Sequence, residues 1–150
     1  MHRFLLLILV TILVVSAAAQ QDQATQELQK FEGAWVLVSG ERDGANIADE
    51  HVQKSTITWK GTAFVIETPH QWREAMTGTI GVDPTKTPAE MHWVRDNGPD
   101  AGQRMLAIYE FMGDDQLRIC FAPGDQERPK EFSTTAGSGH ILHVWKRVKH

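Results

Sequence analysis

Gly33-Ala34-Trp35 stands between a short amphipathic turn, Glu27 to Phe31, and the first β-rich run of the chain, Trp35-Val36-Leu37-Val38. Glycine lets the backbone bend where a β-carbon would clash, and a tryptophan two residues on can plug one end of a closed sheet. Leu28 and Phe31, three residues apart, share one side of a helical turn that can lie across a barrel mouth.

Strand-like segments follow, punctuated by turn residues. Ser55 to Lys60 alternates strictly, with Ile57 and Trp59 on one face, and Gly61-Thr62 turns the chain into Ala63 to Glu67. Arg73 to Val82 carries Met76, Gly78, Ile80 and Val82 at every second position; Glu90 to Val94 comes next, after a break at Asp83 to Pro88. Arg104 to Phe111 and Gln116 to Phe121 form the clearest hairpin, and His140 to Val148 is the last strand. A short helix is expected over Ala48 to Val52. Eight strands in chain order predict an all-β, antiparallel up-and-down barrel, because closure removes the exposed edges of an open sheet. A β-sandwich is the structural rival.

Met1-His2-Arg3, an apolar run from Phe4 to Val15 and Ser16-Ala17-Ala18-Ala19 make the three-part pattern of a secretory signal peptide over residues 1–19, with an uncleaved anchor as the alternative. Residues 20–26 are polar and expected to be disordered, which leaves 27–150 as a single barrel domain. Loss of Arg3 with the leader leaves 14 basic against 19 acidic residues, a net charge of −5 with histidines neutral. That balance gives no electrostatic reason to bind nucleic acid or an anionic membrane surface, and no membrane span is expected after cleavage. One cysteine, Cys120, cannot close an internal disulfide, so stability must come from the core.

The polar residues offer few constellations. His140 and His143 are three apart on a strand and so face opposite ways, which argues against a shared metal ion. Asp96, Asn97 and Asp100 surround Pro99 in an ordinary turn pattern, and Ser138 lies in no nucleophile elbow. Glu110 faces Arg118 if the hairpin loop is Gly113-Asp114-Asp115; a two-residue loop places Arg118 opposite Tyr109 instead. The pair would share a face with Ile108 and Cys120, partly apolar, where an arginine beside a carboxylate can orient a ligand head group. Trp35 and Trp59 are expected in the core, and Trp72, Trp93 and Trp145 lining a cavity, rimming it or packing outside. Ala122 to Gly139 is long for a connection in a compact domain, a length typical of lids, recognition surfaces and mobile segments.

Glu27 to Trp35 resembles the opening of lipocalin-like domains, where a helical turn precedes a G-x-W at the barrel floor. More specifically, the chain is similar to a functionally uncharacterised family of small exported lipocalin-like domains of planctomycete bacteria. The residues that carry the likeness are Gly33 to Ser39, Tyr109-Glu110, Leu117 to Pro123, Glu127 to Phe132 and Gly137 to His140. In lipocalins a basic residue near the end of the last strand covers the tryptophan, a place for Lys146 or Arg147 here.

Barrel, aromatic supply and lack of a convincing catalytic set together predict a non-catalytic module for a small, largely apolar ligand, exported to the periplasm or beyond and needing no cofactor. Trp35, Trp59, Tyr109, Glu110 and Arg118 are its candidate ligand residues. The rival is a filled barrel meeting an envelope protein through the 122–139 loop. An enzyme would have to use Glu110, His143 and Cys120, which no spacing brings together.

Overall fold

The alternating segments become strands, and the strands close on themselves. The computed structural model describes residues 2–52, 54–68, 74–124 and 126–149, so Trp72 and Arg73 lie outside the described residues. Helix α1 (His2–Phe31) leads into β1 (Gly33–Arg42), β2 (Ala45–Asn46) and a helical turn, α2 (Asp49–Val52). Then come β3 (Thr56–Lys60), β4 (Ala63–Glu67), β5 (Met76–Asp83), β6 (Ala89–Arg95), β7 (Arg104–Phe111), β8 (Gln116–Phe121) and β9 (Ile141–Arg147). Each strand from β3 to β9 pairs antiparallel with the next, and β1 pairs with both β3 and β9. The result is a closed eight-stranded up-and-down barrel of lipocalin-like form, with β2 folded back on the end of β1 as a small hairpin.

Three details depart from the sequence expectation. Residues 20–26, expected to be disordered, are helical within α1, where no glycine or proline interrupts the run from His2 to Phe31. Strand β1 continues past Val38 to Arg42 through a register shift between Leu37 and Ser39, so that Trp35 and Leu37 pair with Arg147 and Trp145, and Gly40 and Arg42 with His143 and Ile141. A bulge of this kind turns the side chains beyond it to the opposite face. The β1–β2 hairpin turns on Asp43 and Gly44, whose φ angles of 53° and 81° are the positive pair that a two-residue turn requires.

The end of the barrel next to α1 is packed solid. Phe31 is fully buried and its ring lies 5.3 Å from Trp59, 5.2 Å from Tyr109 and 4.8 Å from Phe111. The chain then reverses into β1 at Gly33, with φ of 102°, a conformation that a residue with a β-carbon rarely adopts. Trp35 donates its indole N–H to the Phe31 carbonyl at 2.7 Å, tying the plug to the first strand. Of the two basic residues at the end of β9, Arg147 covers the tryptophan: its guanidinium lies 4.2 Å from the Trp35 ring centroid. The same group donates to the carbonyls of Lys30 and Glu32, both at 2.6 Å, at the end of α1 where no further turn can satisfy them. Lys146 is exposed.

Arg147→Ala is therefore expected to lower the unfolding free energy by about 1–3 kcal/mol, through loss of the cation–π contact and of the helix-end hydrogen bonds. Lys146→Ala should stay within about 0.5 kcal/mol of the parent. Urea midpoints of the two variants at constant m-value make the comparison.

Candidate functional site: the open half of the barrel

Above the aromatic floor the side chains no longer fill the barrel. A cavity of about 600 Å³ is walled by Leu37, Ile66, Met76, Met105, Phe121 and Ile141 and by the indoles of Trp93 and Trp145. The strands place these residues by parity: Trp145 and Ile141 alternate inward on β9, as Phe121 does on β8 and Trp93 on β6. Gly40 faces the same space, and a β-carbon there would come within 2.9 Å of Ile47 Cδ1. Its missing side chain is what lets the segment after the β1–β2 hairpin tuck Ile47 against the rim.

His143 is the polar group set deepest in the wall formed by β9, between Ile141 and Trp145. Its ring meets Trp145 and Phe121 edge to face at centroid distances of 5.7 and 5.4 Å. Burial, with the positive charge of Arg42 adding to it, pushes its pKa down to about 4, so the imidazole is neutral at pH 7. At the rim are Arg42, Asp43, Asn46 and Arg95. Arg95 is matched by Asp100 at 2.8 Å, and Asp43 accepts the Gly139 N–H at 2.9 Å. The indole nitrogens of Trp59, Trp93 and Trp145 are buried without a hydrogen-bond partner. Around Trp93 the packing is edge to face, 5.0 Å to Trp59 and 5.1 Å to Phe121, an arrangement in which ring edges meet π faces and offset part of a missing bond.

None of the five ligand candidates drawn from the sequence lines this cavity. Trp35, Trp59 and Tyr109 belong to the floor, where the Tyr109 hydroxyl donates to Glu27 at 3.2 Å. Burial and the Glu27 carboxylate push that phenol far above its usual range. Glu110 and Arg118 do face each other, in the register of the three-residue loop, and form an ion pair at 2.5 Å. Their side chains are 48% and 35% exposed, because Tyr109 and Ile119 take the inward positions and the pair falls on the outer wall. Of the tryptophans that the sequence left between cavity and surface, Trp93 and Trp145 line the cavity.

The outer wall explains the 122–139 loop. Ile108 and Cys120 point outward yet are buried, because the loop lies over them: the Cys120 thiol donates to the Ser133 carbonyl at 3.6 Å, and the Arg118 guanidinium sits 4.0 Å from the Phe132 ring centroid. Burial raises the Cys120 pKa, which leaves little thiolate for chemistry. Arg128 donates to the carbonyls of Met91 and Ala107, both at 2.5 Å, and Thr134 bonds Glu41. The segment is a strap, fixed at several points along its length. Asn97 acts as a turn residue, accepting from Thr77 N–H at 3.0 Å and donating to the Ala75 carbonyl at 2.9 Å.

His143 carries a pH signature. Its folded-state pKa lies below that of the unfolded chain, so the unfolded state binds the extra proton first and stability falls as pH drops from about 6.5 toward 4. Allowing for the part of the ring that meets the open cavity, the loss is on the order of 2 kcal/mol. Urea melts of the parent and His143→Phe across this window should show that much less pH dependence in the variant.

Compared with protein-family models, with curated proteins and with solved structures, the chain matches none.

Proposed function

We propose that this chain is an exported, non-catalytic lipocalin-like binding module that holds a small, largely apolar molecule in the open half of its barrel. The observation that carries the reading is the contrast within one barrel: a floor filled by Phe31, Trp35, Trp59 and Tyr109, and above it an apolar-walled cavity of about 600 Å³. Small-molecule pockets run from roughly 300 to 1,000 Å³ and combine apolar walls with a few polar groups, as here. A cavity this large in a disulfide-free domain forgoes packing that would stabilise the fold, and an occupant restores it.

Catalysis has weaker support. Of Glu110, His143 and Cys120, only His143 lines the cavity, while the other two lie on the outer wall. The filled-barrel reading, with residues 122–139 as a partner surface, is also the lesser one, since half the barrel is open and Arg128, Thr134 and Gly139 of that loop are engaged with the barrel itself. Export rests on the leader pattern of residues 1–19. Cleavage after Ala19 would leave Glu27 and Phe31, and hence the floor, in the mature chain. Among the described residues no helix is long and apolar enough to cross a membrane.

Native mass spectrometry of protein purified gently from the envelope fraction is expected to show a discrete added mass that denaturing extraction releases. Ile66→Trp, which places an indole in the cavity, should abolish it. Apo mass alone, together with unchanged tryptophan fluorescence across a panel of lipids and small hydrophobes, would contradict the proposal.

A further inference from the structure

Six arginines have side chains that the structure describes, and five of them are engaged. Arg95 pairs with Asp100, Arg104 with His92, Arg118 with Glu110 and Arg128 with Glu90, while Arg147 caps α1. Arg42 makes no hydrogen bond or ion pair among the described residues. Its position is set by the sheet. Directly paired residues of an antiparallel ladder point to the same side, and Arg42 pairs with Ile141, a cavity residue. Across the bulge of β1 the chain thus brings an unmatched guanidinium to the rim of an apolar cavity, one layer above His143.

We infer that the cavity takes a monoanionic amphiphile, an apolar chain or ring body ending in a single carboxylate, with Arg42 reading the acid group. The inference rests on the proposed reading of the barrel as a small-molecule binder and names the chemistry of its ligand. Pairing at the rim sets the single acid group: Arg95 is held by Asp100, and Asp43 accepts the Gly139 N–H and forms no ion pair with Arg42, so among the described rim residues only the Arg42 guanidinium has its donors open to a ligand. A guanidinium presents a planar fork of donors that fits a carboxylate, and bonds between charged partners are about twice as strong as neutral ones. Beneath the rim, His143 is uncharged at neutral pH and adds no second cation. Below it the wall is thioether and ring, Met76, Met105, Phe121 and Trp93, and the unbranched methionines adapt to an irregular apolar body.

The test compares dodecanoate, methyl dodecanoate and dodecanol, each below its micelle concentration, on the purified chain freed of copurified lipid. Tryptophan fluorescence reports binding, because Trp93 and Trp145 line the cavity. Dodecanoate is expected to bind roughly ten-fold more tightly than the ester and the alcohol at neutral pH and low salt, and the preference should shrink as salt rises. Arg42→Gln should abolish the preference while leaving ester affinity in place. Arg95→Gln, which removes a charge already matched, should keep it. Equal binding of acid and ester by the parent, or a preference that survives Arg42→Gln, would overturn the inference and leave the binding-module reading standing. No saturable binding of any of the three probes by the folded chain would overturn both.

Discussion

The floor of the barrel depends on one knot of contacts at the end of α1. Phe31 contributes its ring to the core and its carbonyl to the Trp35 indole, and Arg147 lies over that indole while satisfying the carbonyls of Lys30 and Glu32. First strand, last strand and helix therefore meet at one point, which is also where the sheet must close: Trp35 and Arg147 are direct partners in the β1–β9 ladder. Without that seal, the indoles of Trp35 and Trp59 would face solvent at the barrel end. In a chain with one cysteine and no disulfide, the seal does what a covalent link does in many exported domains of similar size.

From the sealed end the barrel changes character along its axis. Bulky rings fill the lower layers edge to face; higher up, methionine, isoleucine and leucine line the wall but do not meet across it. The hairpin on Asp43-Gly44 and the strap from Ala122 to His140 converge on this open end, joined by the Gly44 amide and Thr134 and by Asp43 and the Gly139 amide. The strap, whose length suggested a mobile element, is the outer cover for Ile108 and Cys120 and a brace for the rim. The polar side chains that line the cavity are a neutral imidazole, Ser55 and Thr68 bonded to each other at 3.3 Å, and the rim group of Arg42, Asp43, Asn46 and Arg95.

Much of the fold was legible because the information is local. The β7–β8 hairpin follows from alternation flanking Met112 to Asp115, and the three-residue loop brings Glu110 opposite Arg118. The inward face of β5 reads directly from Met76, Gly78 and Ile80. What was not legible depends on contacts between distant segments. Unbroken alternation from Trp35 and Leu37 would put Arg42 outside, and only the bulge near Val38 turns it inward. Cys120 and Ile108 look like core residues by composition, yet they are buried from the other side by a loop more than ten residues downstream. The aromatic candidates Trp35, Trp59 and Tyr109 were placed in a plausible interior, but a sequence does not show which layers of a barrel are filled. The Asp43-Gly44 pair, by contrast, is a local hairpin signal that lies just beyond the β-rich run read over Trp35 to Val38.

The central claim is that this one barrel is solid at the α1 end and hollow at the other. A crystal structure of the protein under xenon pressure tests it directly, since xenon enters apolar cavities and scatters strongly. The account predicts xenon between Trp93, Met105 and Phe121, and none among Phe31, Trp35 and Trp59. An upper half whose side chains have closed together, with no xenon within the barrel, would contradict it.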